Sequence, residues 1–181
     1  MSTARYSRDL TRIALMSALM AVCAWISIPL AVPFTLQVLG VFLALRLLGG
    51  KNGTLSILLY IALGAVGLPV FSNFGAGIAV LIGPTGGYIL GFVLMGALYW
   101  ALDKRLNSWL LQEAALLAGL VLCYAFGTAW FTLLMNSRGK EISFLAGLST
   151  CVFPFILPDL AKLFVSRLLA AQLKRAHFLR S

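Results

Sequence analysis

From Leu145 to Leu173 the chain is apolar for longer than the ~20 residues a helix needs to cross a bilayer, yet Asp159 and Lys162 stand inside that run. No other feature restricts the fold as much. In lipid such a run satisfies its backbone as a helix. Residues at i and i+3 share a helix face, so the two opposite charges are neighbours. A charge near the bilayer centre costs about 2.5–3.5 kcal/mol on insertion scales, so the pair is expected to face a protein interior or a polar cavity. Pro158, immediately before Asp159, removes a backbone donor and frees the carbonyl one turn back. Two readings follow. The pair either grips a ligand in a polar pocket or ties helices together as a neutral ion pair.

The rest of the composition agrees with a membrane setting. Apolar residues make up 61% of the 181 and charged residues 10%, with a mean hydropathy of +1.00. A water-soluble domain of this size cannot hide that much apolar surface. Several apolar segments of helix length favour an all-α integral membrane bundle over a membrane barrel, which shows short alternating strands. The length suggests one domain, residues 1–181. The net charge of +9 does not point to nucleic acid, because Lys and Arg mostly flank apolar segments. Cys23, Cys123 and Cys151 match no metal or redox spacing and read as small apolar packing groups.

In chain order, residues 1–9 read as a cytoplasmic tail or surface helix, and the first apolar helix as retained rather than as a cleaved signal peptide. The apolar segments predict about six transmembrane helices, at about 10–28, 34–48, 54–68, 85–102, 112–135 and 149–173. Pro29 to Pro33 breaks the chain after the first helix, and Gly49 to Gly53 forms a turn. Ile142 to Leu148 is read as lying along the surface. Arg5, Arg8, Arg12, Arg46, Lys51, Lys104, Arg105, Arg167, Lys174, Arg175 and Arg180 fall on the side of the termini, and only Arg138 and Lys140 on the other. That asymmetry predicts cytoplasmic N- and C-termini and places Asp159 in the outer half of the last helix.

Other stretches are candidates for a site. Pro69 to Pro84 carries no charge and is rich in glycine and aromatic residues, so it is expected to fold back into the bundle, as a lid or as a buried connector. Asn73 within it can donate and accept hydrogen bonds. Gly83-Pro84-Thr85-Gly86-Gly87-Tyr88 opens the fourth helix. Its glycines either present free N–H groups to an anion or permit close helix packing. Tyr88 offers a ring and a hydroxyl to a ligand or anchors at the interface, and Gln37 either reaches a cavity or caps the second helix. Ala14 and Ala18, with Ser17 and Ala21, give the first helix a small-residue stripe suited to close approach of another helix. Enzyme readings do badly. The single His is His177 in the basic tail, and Asp159 is read as the only carboxylate within a span. No acid–base cluster, metal-ligand group or nucleotide-binding motif is visible.

Four motifs in order, Val32-Pro33-Phe34-Thr35-Leu36-Gln37, Gly67-Leu68-Pro69-Val70-Phe71, Gly83-Pro84-Thr85-Gly86-Gly87-Tyr88 and Pro158-Asp159-Leu160-Ala161-Lys162, resemble the BioY family across nearly the whole chain. Members of that family are biotin-binding S components of prokaryotic energy-coupling factor (ECF) transporters. The resemblance implies a six-helix S-component bundle in the cell membrane and a biotin site near the outer face. It implies as partners a transmembrane coupling subunit and two ABC-type ATPases, with no cofactor beyond biotin as transported ligand. It assigns ligand contact to Asp159 and Lys162, joined by Asn73 and Tyr88, and docking on the coupling subunit to the Ala14–Ala18 stripe. With Tyr at 88, a guanidinium contact found in some members is absent. Kept beside this reading are an S component for another small vitamin or precursor and a non-catalytic membrane scaffold.

Overall fold

A computed structural model describes residues 3–28 and 33–175. Most of the Pro29–Pro33 break, including Val32, and the tail with His177 and Arg180 lie outside the described residues. The order is α1 Thr3–Trp25, a two-residue antiparallel pair β1 Ser27–Ile28 and β2 Phe34–Thr35, α2 Gln37–Ala65, a 3-10 turn Ser72–Phe74, and α3 Ile78–Leu81. Then come α4 Gly86–Leu102, a 3-10 turn Asp103–Arg105, α5 Trp109–Ser137, α6 Phe144–Cys151 and α7 Phe153–Arg175.

The α2 segment is a helical hairpin. At Gly49 the backbone takes φ 76°, ψ 179°, a conformation open essentially to glycine alone. The chain reverses there, so that Gly53 packs against Leu45 and the Gln37 amide reaches Tyr60. The limbs, 37–48 and 50–65, are about 18 and 24 Å long at 1.5 Å per residue. Each is shorter than the bilayer's ~30 Å hydrocarbon core. With α1, α4, α5 and the α6–α7 pair they make six rods.

Three helices are long and apolar enough to cross a membrane, or four when α6 and α7, bent by 49°, count as one span. The hairpin counts once in that tally, and α1 carries Arg8, Asp9 and Arg12. All-α architecture in a multi-pass membrane bundle is therefore what the chain adopts.

Local differences from the sequence reading have physical causes. The first helix begins at Thr3 and ends at Trp25, and Phe34–Thr35 pairs with Ser27–Ile28 instead of opening a helix. The turn expected over Gly49–Gly53 needs only Gly49. Ile142–Leu148 is largely exposed, as a surface stretch should be, but it is not irregular. From Phe144 it forms α6, capped by the Ser143 hydroxyl, which accepts from the Ala146 N–H. The last helix is thereby broken at Val152 rather than continuous from Ser149.

Glycines set the close contacts between α4 and α5. Gly87 lies against the Trp130 ring, Gly91 against Cys123, and Gly127 against the Tyr88 ring, so a methyl at any of them meets a neighbour. Close packing is thus the role of this glycine spacing. The Gly86 and Tyr88 N–H groups donate to the carbonyls of Gly83 and Thr85.

Candidate functional site

The cavity lies at the end of the bundle where α2 begins and α4 starts, away from the Gly49 turn and the C-terminal end of α7. The space between its lining side chains, including the part open to the outside, comes to about 620 Å³. Its apolar wall includes Ile89, Phe92, Leu120 and Phe155, and Thr35, Gln37, Ser72, Tyr88, Tyr124, Asp159 and Lys162 bring polar atoms to it.

The charged pair forms the polar end of this space. Lys162 Nζ donates to Asp159 Oδ1 at 2.6 Å. Both residues are buried, Asp159 at 3% exposure and Lys162 at 7%, which makes them dependent on each other and on neighbours for solvation. Tyr124 Oη donates to Asp159 Oδ2 at 2.5 Å. Lys162 Nζ also lies 4.2 Å from the centre of the Phe34 ring, a cation–π geometry, and Phe34 stacks on Phe155 at 6.1 Å. Each carboxylate oxygen keeps further lone-pair capacity and the ammonium has three donors. The pair therefore retains hydrogen-bonding capacity beside the open space.

The remaining polar groups are held by the fold. Gln37 Nε2 donates to Tyr60 Oη at 2.9 Å, and Tyr60 Oη donates to the Val70 carbonyl at 3.1 Å. Tyr88 Oη shares a hydrogen bond of 3.0 Å with Thr128 Oγ1. Trp130 Nε1 donates to the Gly83 carbonyl at 3.0 Å, fixing the turn that leads to Tyr88.

The 66–85 connection folds back as a wall. Phe71 is fully buried against Gly64, and the Gly77 N–H donates to the Gly64 carbonyl at 2.7 Å. Trp25 Nε1 donates to the Pro69 carbonyl at 2.7 Å and its ring stacks on Phe74. Asn73 and Phe74 sit at φ 54° and 57°, an uncommon region for residues other than glycine.

Of the sequence-derived candidates, Gln37, Tyr88, Asp159 and Lys162 meet at this cavity. Asn73 stands apart. Its side chain is exposed and its Oδ1 accepts from Ser27 Oγ at 2.9 Å, while the adjacent Ser72 lines the cavity. Ala14 and Ala18 are exposed on α1, whereas Ser17 turns inward and donates to the Ser56 carbonyl. Sequence reasoning missed Tyr124, because a lone Tyr in an apolar run has no partner visible in the sequence. It also counted Arg46 as a flanking charge and Asp159 as the only carboxylate within a span. Instead, Arg46 is buried and pairs with Glu113, which lies in the second turn of α5. Cys23, Cys123 and Cys151 are free and buried, and the latter two line the cavity. Among the described residues no three His, Cys, Asp or Glu side chains come together to hold a metal ion.

A family model described as the BioY family matches residues 1–178. The chain belongs to the BioY family. Among BioY relatives, the biotin transporter BioY of Thermotoga maritima is 44% identical over 169 residues, which span 93% of this chain and 96% of that protein. A probable biotin transporter BioY of Pyrococcus horikoshii is 39% identical, covering 93% of this chain and 97% of its own length. A crystal structure of the S-component for biotin from an ECF-type ABC transporter superposes with a TM-score of 0.84. The two are 28% identical, and the match covers 97% of this chain and 95% of the other. The hairpin at Gly49 and the bent α6–α7 pair thus belong to a chain with the overall fold of that S component.

Proposed function

We propose that this chain is the substrate-capture subunit of an ECF transporter and binds biotin in the cavity beside Asp159 and Lys162. The observation that carries the reading is a buried carboxylate–ammonium pair with unspent hydrogen-bonding capacity, bordering a space that also has an apolar wall. Biotin offers a ureido group with two N–H donors and one acceptor, an apolar thioether ring, and a carboxylate. Asp159 accepts from the ureido N–H groups, with Tyr124 fixing its other oxygen. Lys162 donates to the ureido oxygen or the carboxylate. Ile89, Phe92, Leu120 and Phe155 enclose the ring system. Gln37 and Tyr88 border the ligand, and Asn73 acts by holding its strained turn against Ser27. No reaction is assigned to the chain; energy for uptake comes from two ABC-type ATPases acting through a transmembrane coupling subunit that docks on the Ala14–Ala18 face.

The N- and C-termini are cytoplasmic in this reading, so the cavity loads from outside. Cysteines placed at Ser2 and Ser181 then react with an impermeant reagent only after cells are opened; labelling in intact cells contradicts the orientation. The function is tested by calorimetric titration of the purified protein with biotin. Saturable one-to-one binding is expected, and heats no larger than dilution, or preference for a different vitamin, reject biotin as the ligand.

A further inference from the structure

Two turns beyond Asp159, α7 is held by polar contacts that the cavity does not use. Arg46 Nε donates to Ser166 Oγ at 2.8 Å, and Nη2 donates to Glu113 Oε2 at 2.6 Å and to the Leu163 carbonyl at 3.4 Å. Ser166 Oγ donates to the same carbonyl at 2.7 Å. One buried guanidinium thus joins α2, α5 and α7. A planar group with five donors suits three acceptors spread over two neighbouring helices, where an ammonium on a flexible stem does not.

The contacts bear on the cavity through the backbone of α7. Leu163 follows Lys162 directly, and Ser166 lies at i+4 from Lys162, on the same helix face. The half of α7 before the pair is interrupted twice. It bends by 49° from α6, and Pro158 lacks the N–H that would bond to the Pro154 carbonyl. Past Tyr124, which holds Asp159 itself from α5, the next side-chain hydrogen bonds to α7 from another helix among the described residues come from Arg46.

We propose that Arg46 is a positioning residue for the cavity: it sets the height and rotation of α7, and so the place of the Asp159 carboxylate and the Lys162 ammonium, without touching the ligand. The proposal rests on the reading of the cavity as a biotin site. Its test is a double-mutant cycle with a ligand-free measurement beside it. Biotin is titrated into the parent, Arg46→Met, Arg46→Lys, Lys162→Met and the double variant Arg46→Met/Lys162→Met.

Arg46→Met is expected to weaken biotin about tenfold in the parent, but less than about threefold once Lys162 is already Met, because residues acting through one network are not additive. Arg46→Lys, which keeps the charge but cannot serve all three acceptors, falls between. Equal losses in both backgrounds overturn the proposal. Amide exchange, read without ligand, is expected to speed up roughly tenfold over residues 159–167 in Arg46→Met while α4 stays near parental, since local opening follows local contacts. Uniform acceleration across all helices overturns it too, because Arg46 then merely supports the fold. Should Arg46→Met not fold, Arg46→Lys carries both measurements. A parent that binds no biotin rejects the proposed function, and the exchange pattern alone then decides the role of Arg46.

Discussion

Among the described residues two ion pairs of equal length lie inside this bundle, and their surroundings differ. Asp159–Lys162 and Arg46–Glu113 both close at 2.6 Å. The first lies within one helix and borders empty space, with donor and acceptor capacity left over. The second bridges α2 and α5, and its guanidinium is taken up by Ser166 and the Leu163 carbonyl as well. A charge inside a membrane helix is therefore not by itself the mark of a ligand site. What sets the first pair apart is open space beside unspent hydrogen-bonding groups. Glu113 Oε1 is buried without a hydrogen-bond partner among the described residues, a cost carried by the second pair.

The largest expected effects come from halving the cavity pair. Asp159→Asn and Lys162→Met each leave an uncompensated charge in a buried site, which costs ~3–5 kcal/mol of stability. Asp159→Asn is also expected to weaken biotin by at least ~tenfold, equivalent to 1.4 kcal/mol. Thermal unfolding with and without biotin, beside titration, measures both. Parental stability and affinity in either single variant would erase the distinction between the two pairs.

Next, Arg46→Met combined with Glu113→Leu removes the buried guanidinium and its half-buried partner together, and replacing a buried pair is often neutral or stabilising by ~1–4 kcal/mol. Stability is expected to return to near parental while biotin affinity stays low, because the contacts to α7 are still missing. Full recovery of affinity would reduce the second pair to a structural tie without influence on the cavity.

A smaller effect is expected from Tyr124→Phe. It removes one hydrogen bond to a charged group, worth ~1.5–3 kcal/mol, but keeps the ion pair. Biotin affinity should fall by less than in Asp159→Asn, read by the same titration. A loss as large as that of Asp159→Asn would make Tyr124 a direct ligand contact.

The smallest effect on binding is expected at Ala14→Leu and Ala18→Leu. Both residues are exposed on α1, and neither lines the cavity. Biotin affinity should stay within ~twofold, while co-purification with the coupling subunit is lost, because small residues govern helix approach. Loss of biotin binding with assembly intact would mean that the stripe packs within this chain.

How much of this was legible in the sequence follows the same division. The membrane bundle and the pairing of Asp159 with Lys162 could be read directly, because charges in a long apolar run are costly and i, i+3 spacing fixes their neighbourhood. Arg46 lies three residues before the Gly49 turn and looks like an ordinary flanking charge. Its partners lie 67 and 120 positions away, on helices whose register no local pattern sets. Tyr124 is hidden for the same reason. The break at Val152 leaves a faint trace in Pro154, since the residue before a proline is pushed from helical geometry, but Pro158 gives an equal signal and lies inside α7. Gly49 was visible as a turn, yet nothing local says that one residue suffices to reverse the chain.

The central claim is that the cavity pair holds the ligand rather than tying α7 in place. Asp159→Asn with Lys162→Met removes both charges together and so avoids the cost of a lone one. Calorimetric titration of that double variant with biotin, on protein shown by thermal unfolding to be folded, separates the two roles. The account predicts a well-folded protein whose biotin affinity is lower by at least ~tenfold. A well-folded double variant with parental affinity would contradict it.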